Sequence, residues 1–355
     1  MKKQIMLVTL TLLGIGTSSL VNAAYIFTDL GTLGGNNSEA TAINNAGQVA
    51  GFSYTTLDNS RATLWSGTTP PTALSTLNGN ASQAWSINDA GHVVGGVNFS
   101  TTGNDWHATV WNGTTITDLG SGWAWDINNA GQVAGINYAS GNATVWNGTT
   151  TTNLGIGTAY AINNTGQVVG NSGLQAILWN GTTATYLDGL GGLGSMAWDI
   201  NDAGQVAGYS WTVGNAGTHA VLWIGATATD LGTLGGGWSQ AKAINNAGQV
   251  TGDAMTTGNA AQHATLWNGT TATDLNSFLD AATISAGWEL ATADDINDNG
   301  WIVGIALNKL TGVRHGYLLS DTIAAVPEPA TYTMLLAGLG LLCFSARRRK
   351  QLAAA

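Results

Sequence analysis

Between residues 25 and 320 the apolar residues come in short runs, broken at regular intervals by Asn, Gly and Thr. The clearest unit of this pattern is Ile43-Asn-Asn-Ala-Gly-Gln-Val-Ala-Gly51. It returns, with small changes, from Ile87, Ile127, Ile162, Ile200, Ile244 and Ile296. The spacings are 44, 40, 35, 38, 44 and 52 residues, a period that marks a repeat architecture rather than one irregular core. Each copy predicts a β-hairpin. Asn44 suits the first position of a type I turn, and Gly47 suits the positive φ that follows, where a side chain would be strained. Glycine stands there in every copy, at Gly47, Gly91, Gly131, Gly166, Gly204, Gly248 and Gly300.

Two further strands repeat with the hairpin. One ends in tryptophan, as in Ala62-Thr-Leu-Trp65, His107-Ala-Thr-Val-Trp111, Ala176-Ile-Leu-Trp179 and His263-Ala-Thr-Leu-Trp267. Asn-Gly follows it at residues 112, 147, 180 and 268, a strong short-range hairpin signal. The other reads Thr28-Asp-Leu-Gly31, Thr117-Asp-Leu-Gly120 and Thr229-Asp-Leu-Gly232, with looser copies elsewhere. One unit is therefore four short strands; in the sixth copy these run roughly over residues 241–244, 249–252, 263–267 and 271–275. Four antiparallel strands in about 40 residues is the size of a propeller blade. The seventh unit lacks its last strand, and Tyr25 to Leu30 is a spare one at the other end. The expected fold is all-β: a repeat protein over residues 24–322, a seven-bladed β-propeller of four-stranded blades closed by the N-terminal strand. An open array of repeats is the alternative.

The ends read differently. Residues 1–23 form a signal peptide, with Lys2 and Lys3 before an apolar core and cleavage after Ala23. Residues 323–351 form a tail in three parts: Pro327-Glu328-Pro329, an apolar stretch from Ala330 to Phe344 expected to be a short transmembrane helix, and Arg347-Arg348-Arg349-Lys350. The basic block should stay cytoplasmic.

Charge narrows the choice of partner. Net charge is −10, yet the body keeps only Arg61, Lys242, Lys309 and Arg314 as basic residues. Such a surface repels nucleic acid and anionic membranes. The single cysteine, Cys343, lies in the tail, so the body holds no disulfide framework and no cysteine-based zinc site.

Candidate chemistry is sparse. No nucleophile elbow, phosphate loop or metal-protease helix motif is present, and Gly191-Gly192-Leu193-Gly194 joins strands instead of opening a helix. Of His92, His107, His219, His263 and His315, the last four begin the third strand of different units, and in a ring they point along different radii, so no metal or cofactor is expected. Asn45, Asp89, Asn129, Asn164, Asp202, Asn246 and Asp298 share one turn position. Calcium chemistry suits such oxygens, but one carboxylate per turn favours local turn hydrogen bonds. Asp294-Asp295 is the one adjacent acidic pair of the body, and strand neighbours point to opposite faces. Trp65, Trp111, Trp146, Trp179, Trp223 and Trp267 repeat in register and read as blade packing, as do Trp85, Trp125 and Trp198, each two residues before an Ile. Trp106, Trp123, Trp211, Trp238 and Trp288 lie in or beside connections of variable length. Alternate links of an up-and-down sheet share one face, so these five are the candidate glycan contacts.

The Pro-Glu-Pro stretch, apolar segment and arginine cluster resemble a PEP-CTERM sorting tail. That resemblance implies recognition by exosortase at the inner membrane of a Gram-negative bacterium, with Pro327, Glu328, Pro329, Arg347, Arg348 and Arg349 as the sorting residues. Asp230-Leu-Gly-Thr-Leu-Gly-Gly236, Ala243-Ile-Asn-Asn-Ala-Gly-Gln-Val250 and the His-Ala strand resemble the extracellular HAF repeat family, which brings no established activity. The expected protein is exported, transiently anchored in the inner membrane, then placed at the cell surface or in the matrix. It is read as a non-catalytic binding or matrix component associated with exopolysaccharide. A purely structural biofilm protein is the alternative, and a glycan-active enzyme the third reading.

Overall fold

The computed structural model describes residues 25–321, apart from 68–69, 101–104 and 149. The expected signal peptide with Ala23, the Pro327-Glu328-Pro329 motif, the apolar stretch and the basic end all lie outside these residues. Among the described residues no helix is long and apolar enough to cross a membrane.

The body is all-β apart from short helical turns. The sixth unit shows the plan: strands Gly235–Ile244, Gln249–Thr256, Gln262–Asn268 and Thr271–Asp274, paired antiparallel in sequence order. The first two run further than the hydrophobic pattern alone indicates, because Gly-rich and polar residues at their outer ends still pair, as in Gly235 with Thr256. The hairpin turn forms as its chemistry requires. Gly47 donates to the Asn44 carbonyl at 3.0 Å, and the seven turn glycines have φ between 76° and 82°. The longest spacing, before Ile296, is taken up by a 3-10 turn over Leu275–Phe278 and a single helical turn over Ala281–Ser285, whose N-cap Asp280 accepts from the Thr283 amide.

The strands form five sheets, not seven separate ones. Three units are isolated four-stranded sheets. The second and third are fused, because Thr115–Ile127 runs without a break as the last strand of one and the first of the next. The first and seventh are joined by one parallel bridge, Asn37 to Arg314. The N-terminal strand Tyr25–Asp29 pairs antiparallel with Arg314–Asp321, from Tyr25 opposite Asp321 to Asp29 opposite Tyr317. It occupies the place of the fourth strand that the seventh unit lacks.

Two features run from each unit to the next. Asn44, Asn88, Asn128, Asn163, Asn201, Asn245 and Asn297 are buried at the turns. Each donates its Nδ2 to the carbonyl of its counterpart in the following unit at 3.0–3.1 Å, and the series returns from Asn297 to Asn44. The Oδ1 of Asn44 accepts from the amides of Ala46 and Gln48, so the buried amide leaves little unsatisfied. Between neighbouring units lie apolar clusters such as Ala42, Ala50, Ala62, Ala84, Ile87 and Trp111. The one that holds Ala40, Ile43 and Trp65 also takes in Val303 of the seventh unit. Trp65, Trp111, Trp146, Trp179, Trp223 and Trp267 are at most 4% exposed, in keeping with their reading as packing residues.

Candidate functional site

The innermost strand of the first six units carries a one-residue bulge at the same place. Register shifts fall at Thr41, Trp85, Trp125, Tyr160, Trp198 and Lys242. In the seventh unit the strand is broken here, between Leu290 and Asp295. A bulge sets two consecutive residues against one on the partner strand and re-aims their side chains. The alanine before each bulge (Ala40, Ala84, Ala124, Ala159, Ala197, Ala241, Ala293) is fully buried. The next two residues both line an axial cavity. The partner strand answers with a glycine. A Cβ at Gly51, Gly95, Gly135, Gly170, Gly208, Gly252 or Gly304 would lie 1.9–2.2 Å from the carbonyl oxygen that precedes the buried alanine. That is the physical reason the repeat ends in glycine.

This geometry corrects two expectations. Trp85, Trp125 and Trp198 are not blade packing; they stand half-buried on the cavity wall. Asp294 and Asp295 do not point to opposite faces, because the interrupted strand turns both inward.

The outer chamber has a volume of about 480 Å³. One arc of its wall is aromatic: Trp85, Trp125, Tyr160 and Trp198. Centroids are 5.0 Å apart for Trp85–Trp125, 5.8 Å for Trp125–Tyr160 and 4.5 Å for Tyr160–Trp198. The indole N–H groups of these three tryptophans are buried without a partner among the described residues, so ring packing holds the indoles. The facing arc is polar: Glu39, Thr41, Gln240, Lys242 and Asp294. Lys242 Nζ lies 2.7 Å from Asp294 and 2.9 Å from the fully buried Asp253. Burial pulls its pKa down, but the two carboxylates outweigh burial and hold it above the ordinary lysine value. Asp294 also accepts from Thr292 Oγ1 at 2.7 Å. Glu39 is pushed up, first by burial and then by Asp294.

A narrower chamber of about 110 Å³ follows, where Asp126, Asp199 and Asp295 reach the wall. Each aspartate bridges two units. Asp126 accepts from the amides of Ile127 and Ile162, Asp199 from Ile200 and Ile244, and Asp295 from Ile296 and Ile43, all at 2.7–2.8 Å. Three carboxylates thus hold six of the seven equivalent isoleucine amides. In the second unit Ser86 stands at this position and donates to Asp126 at 2.6 Å. Burial and mutual repulsion raise Asp199 to about 8. Burial first raises Asp295 to about 7, against its two amide hydrogen bonds.

Beyond them lies the face formed by the hairpin turns. Asn45, Asp89, Asn129, Asn164, Asp202, Asn246 and Asp298 do not bond within their own turns. Each side chain accepts from the backbone amide of the equivalent residue in a neighbouring unit at 2.8–2.9 Å, around the whole series. No group of three acidic, histidine or cysteine side chains suited to a metal is present among the described residues.

The five candidate tryptophans separate. Trp106 stacks on Trp123 at 4.4 Å, and Trp123 stacks on Trp125 at 5.4 Å, so these two extend the aromatic arc outward. Trp211 is 40% exposed beside Leu174, Leu193 and Asn215, in a separate apolar cleft of about 220 Å³. Trp238 is half-buried on the inner strand of the sixth unit. Trp288 packs between Phe27 and His315. Four of the histidines prove to be strand pins. His107, His219, His263 and His315 place Nδ1 2.7–2.9 Å from Asp118, Asp230, Asp274 and Asp29.

Residues 325–350 match the PEP-CTERM protein-sorting motif. The match supports export and exosortase-dependent sorting, and it covers the tail alone. No curated protein matches the chain. Among solved structures, the chain is similar to an Aleuria aurantia lectin variant in complex with Fucα1-6GlcNAc, at 14% identity and a TM-score of 0.38, over 83% of this chain and 100% of that one. A likeness at that level carries no ligand chemistry across.

Proposed function

We propose that the body is a seven-bladed β-propeller of the HAF repeat kind, closed by Tyr25–Asp29, and that it is the non-catalytic glycan-binding part of an exosortase-sorted surface protein. Support for the ring comes from the asparagine series that returns to its start and from the pairing of the first strand with the last. The observation that carries the binding role is the unbroken aromatic run Trp106–Trp123–Trp125–Tyr160–Trp198. It leads from the mouth of the axial cavity outward, and stacked indoles offer sugar rings flat apolar faces. A purely structural matrix role gives this run no purpose. Catalysis is disfavoured because Asp126, Asp199 and Asp295 are committed to backbone amides and Asp294 to Lys242 and Thr292.

In this reading residues 1–23 direct export and residues 330–344 hold the chain in the inner membrane with Arg347–Lys350 inside. Exosortase then cuts near Pro327-Glu328-Pro329 and passes the body to the cell surface or matrix. The binding test is retention of the purified body on extracellular polysaccharide, with and without Trp106→Ala plus Trp123→Ala. Loss of retention in the folded double variant is expected; full retention would remove the aromatic run from the argument. For sorting, the mass of the released form should lack the basic end, and an intact C-terminus would refute the cut.

A further inference from the structure

The outer chamber is more specific than a stacking platform. Its size, about 480 Å³, lies within the range of small-ligand pockets, about 300–1,000 Å³. Its two arcs favour the same kind of ligand charge. Aromatic faces carry negative quadrupoles that attract cations, and here four rings form one wall. The opposite wall holds Glu39 and Asp294, close enough that Asp294 disfavours the ionised form of Glu39.

The one ammonium in the chamber is already committed. Lys242 is held between Asp294 and Asp253 at 2.7 and 2.9 Å, and Asp253 is further engaged by Gln262 Nε2 at 2.7 Å. Arg314 and Lys242 both favour the ionised form of Glu39, each with a smaller influence than Asp294. Glu39 thus faces the aromatic wall across the chamber while the Lys242 ammonium is held by other carboxylates. A carboxyl set opposite aromatic faces in a partly enclosed cavity favours a ligand of positive charge.

We propose that this chamber is a subsite for a protonated amino sugar: a hexosamine unit whose ring lies on the Trp125–Tyr160–Trp198 wall and whose ammonium sits against Glu39. The inference rests on the glycan-binding reading and narrows it. Neutral hexoses would keep the stacking but leave Glu39 crowded. Uronic acids would add a carboxylate to a cavity already rich in them. N-acetylation removes the charge that Glu39 recognises.

The test uses the whole exported body. Indole fluorescence and calorimetry would follow titration with glucosamine oligomers, their N-acetylated counterparts, cello-oligosaccharides and oligouronates, at a pH where the free amine is protonated. The glucosamine oligomer should bind about tenfold or more tightly than its acetylated form, since a charge-assisted hydrogen bond from the ammonium to Glu39 is of that order. Glu39→Gln should abolish this preference while leaving the acetylated oligomer unchanged, and Trp198→Ala should weaken both. Circular dichroism and thermal melting confirm that each variant is folded. Equal affinity for the amine and the acetamide, or an unchanged preference in folded Glu39→Gln, would overturn the subsite. The Trp106→Ala plus Trp123→Ala variant separates the two proposals. Loss of polysaccharide retention with the amine preference for short oligomers intact places both where they are argued. Loss of retention with no preference at any stage leaves the outer face and refutes the chamber.

Discussion

Replacing Asp199 with Asn tests the ring of bridging carboxylates, and the decisive reading is stability against pH. Asp199 and Asp295 have folded-state values of about 8 and about 7, above the unfolded carboxyl value near 3.9. The folded protein therefore holds protons that the unfolded chain has released. The stability this contributes is fully present below about pH 4, and it is lost as pH rises through about 7 for Asp295 and about 8 for Asp199. Asp126, Asp253 and Glu39 shift in the same upward direction, each chiefly by burial. Lys242 is raised above its ordinary value, so its contribution stays present across this window. Between about pH 5 and pH 7 each strongly raised carboxyl should cost about 1 kcal/mol of stability per pH unit. Urea unfolding followed by tryptophan fluorescence at a series of pH values measures that slope. The Asn variant keeps one carbonyl oxygen for the amide of Ile200 or Ile244 and turns an NH₂ against the other, a loss of about 1–3 kcal/mol. It should be less stable than the parent at pH 5, with a flatter profile, so that the two curves approach each other toward pH 8. Parent stability that rises between pH 5 and 8, or a variant with the parent's slope, would refute the account of the crowded ring.

Three other outcomes follow from the packing. Gly208→Ala puts a Cβ 2.0 Å from the Met196 carbonyl and should lower stability by about 3 kcal/mol in denaturant unfolding; a neutral result would mean the bulge at Trp198 is not required. Trp223→Ala empties a fully buried position and loses the 2.7 Å bond from Nε1 to the Asp188 carbonyl, at a cost of about 3–5 kcal/mol by the same assay. Deleting residues 25–29 strips the partner from Arg314–Asp321, so amide exchange over 314–321 should accelerate far more than over the equivalent strand Thr218–Ile224; equal protection would argue against closure by the first strand.

The fold was legible because the residues that build it are the same in every copy. The turn glycines, the tryptophans that end the third strands and the spare first strand all give signals that depend only on local chemistry and counting. One pairing was legible and missed. Each third strand that begins with His107, His219, His263 or His315 meets an aspartate in its fourth strand, at Asp118, Asp230, Asp274 or Asp29, and units without the histidine lack that aspartate. The co-occurrence stands in the sequence, eleven residues apart in three of the four cases. The inward direction of Trp85, Trp125, Trp198 and Asp294 was not legible, because strict strand alternation gives it wrongly. A bulge adds one residue and reverses the parity of everything beyond it. Its one trace is the glycine on the partner strand, as at Gly135 or Gly208, which is silent until the carbonyl facing it is known.

The site occupies the positions where the copies disagree. At the bulge the seven units carry Thr41, Trp85, Trp125, Tyr160, Trp198, Lys242 and Asp294, seven positions with five residue types among them. The alanine one residue earlier is the same in all seven and fully buried. Packing between units fixes that alanine, since any larger side chain would push two sheets apart. The bulge residue faces the axis instead and meets no repeat-imposed neighbour, so each copy is free to differ. Where they differ, they do so by sector: aromatic residues in the second to fifth units, polar or charged ones in the sixth, seventh and first. Seven copies of one repeat thereby line a two-sided cavity. One residue further in the copies differ by alternation instead, with aspartate only in the third, fifth and seventh units. Each of these carboxylates serves the amide of its own unit and that of the next, so three suffice for six. The odd unit left over is the second, where the Ser86 hydroxyl donates a hydrogen bond to Asp126. Substituting aspartate there as well would add a fourth charge to a ring in which Asp199 and Asp295 already rise toward neutrality. A neutral donor such as serine meets Asp126 there without adding charge.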